Sequence, residues 1–132
     1  MASKWDGLDG PGFRFEDLGW PAVFLIPVSK LQKRLGGKSA AEDLDHFLTE
    51  NFGAFTRMTI SNFGVWVNGQ KTIICDECGF YEVSFVGKER ITLLARKLAE
   101  LASAIGEECI YFKAGQYAAL IYPRTASSQP LS

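Results

Sequence analysis

A long hairpin, one amphipathic helix and a second hairpin follow one another from Phe55 to Tyr122, and this order restricts the fold more than any other feature of the 132-residue chain. The helix is its anchor. Ile91, Leu94, Ala95, Leu98, Leu101, Ala102 and Ile105 recur at spacings of three and four residues, while Lys88, Glu89, Arg96, Lys97 and Glu100 fill the other side. That pattern predicts one broad apolar face over Lys88 to Ile105, with Gly106 as the C-terminal stop. Before it, Thr56 to Val67 and Thr72 to Val86 read as strands joined at Asn68-Gly69, where both turn residues accept positive φ. In the return strand Tyr81, Val83 and Phe85 alternate with Phe80, Glu82 and Ser84, so the two sets face opposite sides. Gly79 is the place for a bulge. After the helix, Cys109 to Phe112 forms a strand, Ala114-Gly115-Gln116 turns, Tyr117 to Tyr122 returns, and Pro123 ends the element.

Two elements upstream complete the pattern. Val23 to Val28 is a continuous apolar run, which suits a central strand. Pro27 cannot donate to a ladder and so belongs at its end. Lys30 to Lys38 is a basic loop with Lys30, Lys33, Arg34 and Lys38; Leu31 and Leu35 predict a helical turn in it, ended by Gly36-Gly37. Ser39-Ala40-Ala41-Glu42 is a capping box. Leu44, Phe47, Leu48 and Phe52 then form a helical stripe that Gly53 closes. Strand, helix, strand, strand, helix, strand predicts an α+β, ferredoxin-like βαββαβ sandwich: an antiparallel sheet with two helices on one face, here with an extra C-terminal hairpin strand. Residues 21–123 form that domain. Residues 1–20 form a flexible arm with Trp5, Phe13, Phe15 and Trp20, whose Phe13 and Phe15 are expected to tuck onto the core. Residues 124–132 form a polar, disordered tail.

Composition narrows the function. An apolar share of 47% supports a packed core and excludes a disordered chain. A net charge of −1 with no basic stripe argues against nucleic-acid binding, which requires neutralised phosphates. No apolar run is long enough to span a bilayer, and Met1 to Gly12 has no signal-peptide core. Three cysteines, an odd number, fit a cytoplasmic protein with reduced thiols.

Three groups of residues bear chemistry. Cys75-Asp76-Glu77-Cys78-Gly79 is one C-x-x-C knuckle, half of what a zinc ribbon needs. Cys109 and His46 would have to complete the set, and residues three apart on a plain strand face opposite ways. The alternative is two ordinary semi-buried thiols. His46 has Asp43 and Glu50 at helical spacing, which predicts a solvated ion pair. Asp76, Glu77 and Glu82 place carboxylates along one strand; Glu77 and Glu82 are the candidates for acid–base work, against the alternative of solvent-facing charge that protects an edge. Gly36-Gly37-Lys38-Ser39 matches only the end of a phosphate loop, because the earlier Gly that the pattern needs is absent.

From Gly64-Val65-Trp66 to Tyr122 the chain resembles small bacterial proteins of unknown function that carry a ferredoxin-like domain. Their final strand follows a pattern met here by Glu107-Glu108-Cys109-Ile110-Tyr111. The resemblance covers about half the chain and implies a fold, with no catalytic residues to transfer. The fold is also similar to that of small RNA-processing nucleases, whose first strand ends near an Asp; here that place holds Pro27-Val28-Ser29. It is similar, too, to dimeric monooxygenases that line a cleft with His, Asn or Trp, for which Asn62 and Trp66 stand as candidates.

An antiparallel sheet covered on one face leaves the other open. Trp66, Phe80, Tyr81, Tyr111 and Tyr117 are the candidates to populate that face or its edges, as a ligand-binding or interface surface. The first expectation is a non-catalytic, self-associating module, a homodimer that binds a small ligand or a protein and needs no cofactor. The second is a small enzyme with a cleft between the open face and a partner subunit, using Glu77 or Glu82 and Trp66. The third is a zinc-stabilised module held by Cys75, Cys78, Cys109 and His46.

Overall fold

The structure is a computed structural model and describes residues 5–60, 64–68, 71–75 and 77–124, the two short segments as backbone only. Nine strands and three helices are found among these residues: β1 (Trp20–Pro27), α1 (Val28–Leu31), β2 (Arg34–Leu35), β3 (Lys38–Ser39), α2 (Ala40–Phe52), β4 (Thr56–Ile60), β5 (Gly64–Asn68), β6 (Lys71–Cys75), β7 (Cys78–Phe85), α3 (Glu89–Ile105), β8 (Ile110–Ala114) and β9 (Tyr117–Ile121).

The main sheet has the order β4-β7-β1-β8-β9, with every neighbouring pair antiparallel. β1, β4 and β9 therefore run one way, and β7 and β8 the other. β1–α2–β4 and β7–α3–β8 are two interleaved strand–helix–strand units, each leaving room for a strand of the other. This is the ferredoxin-like arrangement, with β9 added at the edge beside β8.

Burial follows the alternation of the strands. Ala22, Phe24 and Ile26 of β1, Tyr81, Val83 and Phe85 of β7, and Ile110, Phe112 and Ala114 of β8 are buried on one face. Leu44 and Leu48 of α2 and Leu94, Leu98, Leu101, Ala102 and Ile105 of α3 join them in a single core. A buried side chain of this size is worth about 1.5–3 kcal/mol, and this apolar area offsets the cost of ordering the chain.

The helix ends carry the expected signals. The Ser39 hydroxyl accepts from the Glu42 amide at 3.1 Å, and Glu42 Oε1 accepts from the Ser39 amide at 3.4 Å. Gly106 ends α3 in the left-handed region at φ 76°.

Several expected boundaries shift. The first strand begins three residues earlier, at Trp20, because Trp20 and Pro21 pair with Phe85 and Ser84. The helical turn in the basic loop is confined to α1. Leu35 instead joins a miniature hairpin, β2–β3, whose loop is Gly36-Gly37. The long hairpin is broken in two. Ile60 pairs with Cys78 and Gly64 with Cys75, so the two ladders differ in register by one residue. Asn68 pairs with Lys71, and the turn expected at Asn68-Gly69 falls on residues outside those described. The arm does not tuck its rings onto the core. Trp5 stacks on Phe15 at 4.9 Å and Phe13 meets Phe15 edge-on at 5.9 Å, leaving Phe13 and Phe15 55% and 41% exposed. The tail from residue 125 lies outside the described residues. No helix among the described residues is long and apolar enough to cross a membrane.

Candidate functional site

Chain direction brings three elements to one end of the sheet. α2 ends at Phe52, β7 ends at Phe85, and α3 begins at Glu89. The arm crosses the same end at Glu16, Asp17 and Leu18. Between them lies a groove of about 650 Å³, lined also by Asn51, Ser84, Val86 and Arg90.

Each polar wall has a local cause. Asp17 Oδ1 accepts the Gly19 amide at 2.8 Å, which fixes the arm where it enters β1. Asn51 Nδ2 donates to the Phe47 carbonyl at 2.9 Å, so this side chain is turned back onto its own helix. The Glu89 carboxylate folds back over Gly87, where any Cβ would collide with it. The Arg90 guanidinium sits 5.0 Å from the centre of the Phe52 ring, and Phe52 meets Phe85 at 5.8 Å. The groove thus holds the carboxylates of Glu16, Asp17 and Glu89, one guanidinium, and an aromatic wall. Excess negative charge beside aromatic faces favours a cation. The guanidinium adds one fixed fork for a carboxylate.

A second, smaller groove of about 340 Å³ lies at the other end of β7, lined by Val28, Leu31, Gln32, Ser39, Ala41, Arg57, Thr59 and Gly79. Arg57 Nη1 donates to Asp45 Oδ2 at 2.8 Å. Asp45 Oδ1 and the Tyr81 hydroxyl are buried without a hydrogen-bond partner. Burial pushes both the Asp45 carboxyl and the Tyr81 phenol up, with Arg57 opposing each shift.

The sequence-derived candidates are not gathered at either groove. Phe80 and Tyr111 are half-buried on the open sheet face, each paired with Leu25. Glu82 is exposed on the same face, paired with Val23 and Thr56. Tyr81 and Tyr117 belong to the helix face instead. Tyr81 alternates with Phe80 and Glu82 and is fully buried, and Tyr117 pairs with Ala114 of the core and remains 69% exposed at the sheet edge. Glu77 is exposed, and its carbonyl accepts the Val28 amide at 3.0 Å. Trp66 pairs with Ile73 and Cys75 with Gly64, but their side chains, with those of Asn62 and Asp76, lie outside the described residues.

The cysteine expectation needs correction. Cys78 is buried and disulfide-bonded, so its sulfur is not a thiolate, and Cys109 is buried. His46 is exposed and lies 3.1 Å from Glu50, the predicted helical pair. No group of three or more His, Cys, Asp or Glu that could hold a metal is present among the described residues.

The groove residues were present in the sequence, assigned to other tasks. By spacing Phe52 belongs to a core stripe and Glu89 to the solvated side of a helix. The signal that joins them is topological. In a split βαβ fold the first long helix ends where the second begins, so Phe52 and Glu89 had to meet.

No family model and no curated protein matches the chain. Among solved structures, the fold is similar to that of a phage SAM lyase in complex with S-methyl-5'-thioadenosine, with a TM-score of 0.55 and 12% identity over 86% of this chain and 96% of that one. It is also similar to a phage SAM lyase in the apo state, with a TM-score of 0.52 and 14% identity over 86% and 98% of the two chains. At these identities the likeness establishes the α+β fold and its extent.

Proposed function

We propose that this chain is a small enzyme that binds S-adenosylmethionine in the groove between Phe52, Phe85, Glu89 and the arm, and cleaves it to S-methyl-5'-thioadenosine. One observation carries the proposal: the groove offers a chemical counterpart to each part of that molecule. Phe52, backed by the buried Phe85 ring, presents aromatic surface for the adenine or the sulfonium. Glu16, Asp17 and Glu89 suit the ammonium and sulfonium charges, and Arg90 suits the carboxylate. A volume of about 650 Å³ is ample for a ligand of that size. The nearly full-length likeness to phage SAM lyases supports the same reading.

Cleavage at the amino-acid side of the sulfonium moves the bond's electron pair onto sulfur, which leaves as a neutral thioether. An oxygen of the substrate's own carboxylate bonds to the carbon that sulfur leaves, so the amino-acid part departs as a lactone and no co-reactant is consumed. The positive charge on sulfur fades as the bond breaks. The carboxylates therefore serve binding and orientation, because they favour the charged ground state. Rate gain comes from orientation, the sulfonium and the substrate carboxylate being held in a reactive arrangement.

Purified protein incubated with S-adenosylmethionine should release S-methyl-5'-thioadenosine, followed by chromatography. Phe52→Ala and Glu89→Gln should each lower the yield at least about tenfold, corresponding to loss of one good contact. Binding without release would leave a ligand-binding module, the first expectation from sequence. Absence of both binding and release would overturn the proposal.

A further inference from the structure

The register of the main sheet places one apolar residue from each strand in a single row across the open face: Met58, Phe80, Leu25, Tyr111 and Leu120. The next row on that face is Thr56, Glu82, Val23, Lys113 and Ala118. Met58 and Leu120 are 50% and 36% exposed, and Leu25, Phe80, Tyr111 and Val23 are half-buried. Glu82 and Lys113 are exposed on either side of Val23. Their opposite charges stand about 9–10 Å apart across β1, two strand spacings.

We infer that a second copy of this chain covers this face, through a two-fold axis lying between the two sheets and close to the direction of β1. The two rows are centred on β1, and such an axis reverses each of them. Leu25 then lies on Leu25 of the copy, Phe80 on Tyr111, and Met58 on Leu120. In the second row Val23 meets Val23, and Glu82 meets Lys113 on both sides. The charges thus complement each other twice in one isologous interface. A two-fold axis perpendicular to the strands and centred on that row would instead set Glu82 against Glu82 and Lys113 against Lys113. Charge alone selects the first arrangement. Aligned sheets that twist pack face to face about 10 Å apart, a gap that the side chains of Glu and Lys span. The interface uses neither groove and does not depend on the proposed cleavage.

Sedimentation over a range of concentrations tests the pairing, with thermal melts to confirm that each variant folds. The wild-type chain should pass from monomer to dimer. Glu82→Lys and Lys113→Glu each replace two attractive pairs by two repulsive ones, and each should weaken association at least about tenfold. The double variant Glu82→Lys with Lys113→Glu restores complementarity and should recover dimerisation. A wild-type chain that stays monomeric at about 100 μM, far above a micromolar affinity, would overturn the inference. So would a different stoichiometry, or a double variant that dimerises no better than the single ones.

Discussion

Phe24 and Tyr81 are cross-strand partners whose rings stack 4.9 Å apart, with planes only 6° from parallel. Both are fully buried, and Phe55 leans on Tyr81 at 6.2 Å. The ring holds β1 to β7 at the centre of the core, but its hydroxyl is buried without a hydrogen-bond partner. An unsatisfied buried hydroxyl costs stability, while the ring supplies it. Tyr81→Phe should therefore be neutral or stabilising by up to about 1 kcal/mol, and Tyr81→Ala should cost about 3–5 kcal/mol. Urea unfolding of the three proteins measures both. Burial raises the phenol's pKa in the folded state. The folded protein then holds this proton at a pH where the unfolded chain releases it, so stability falls as pH climbs past about 10. Tyr81→Phe should remove that part of the alkaline loss; an equal loss in both proteins would show that Tyr81 is not its source.

Asp43 ties α2 to α3. Its carboxylate accepts from Lys97 Nζ at 2.7 Å and lies 3.6 Å from Lys38 Nζ. The Lys97 hydrogen bond leads in holding its pKa below the ordinary value, against desolvation. A lowered folded pKa gives stability that is fully present above the unfolded value, about 3.9, and lost as pH falls through the folded value. Partial exposure limits the pair to about 1 kcal/mol. Asp43→Asn should lower stability by about that amount at pH 7 and flatten its dependence below about pH 4. Melting curves between neutral and acid pH check this, and an unchanged acid slope would refute it.

The fold was legible because its signals are local. The capping box at Ser39, the stop at Gly106 and the alternation around Tyr81 each depend on a few neighbouring residues. The faces of β7 could be read for the same reason. Tyr81 does not reach the open face, because alternation turns it inward, whereas Tyr117 stands exposed at the sheet edge on β9, on the helix side through its pairing with Ala114. The different registers of the β4–β7 and β5–β6 ladders depend on pairing between strands, which no single neighbouring residue sets. Leu31 and Leu35 carry a helical spacing, yet Gly36-Gly37 closes a hairpin and draws Leu35 into β2. The candidate groove was hidden for a stronger reason. Glu16, Phe52, Phe85 and Glu89 come from four separate segments, and only the interleaving of two split units joins them.

The arm enters β1 through a junction that one residue controls. Gly19 has φ 86°, and a Cβ there would overlap the Phe85 carbonyl oxygen and lie 2.7 Å from its carbon. These are backbone atoms at the end of a core strand, so they cannot step aside as a side chain can. Gly79 presents a milder case at ordinary φ. A Cβ there would meet Leu31 Cδ1 at 2.8 Å and Tyr81 Cε1 at 3.2 Å. The Leu31 methyl can rotate away, although the Tyr81 ring is fixed by its stack on Phe24. Gly19→Ala should cost more than about 2 kcal/mol, combining a strained backbone with a clash. Gly79→Ala should cost about 1–2 kcal/mol, as modest overpacking does. Gly19 also carries the amide that donates to Asp17. Gly19→Ala keeps this amide but displaces it with the strained backbone, which should shift Asp17 and weaken any ligand held in the larger groove, while Gly79→Ala leaves that groove intact. Urea midpoints for the two variants decide the order of stability. A Gly19→Ala protein as stable as Gly79→Ala would mean that the arm meets β1 by a different path.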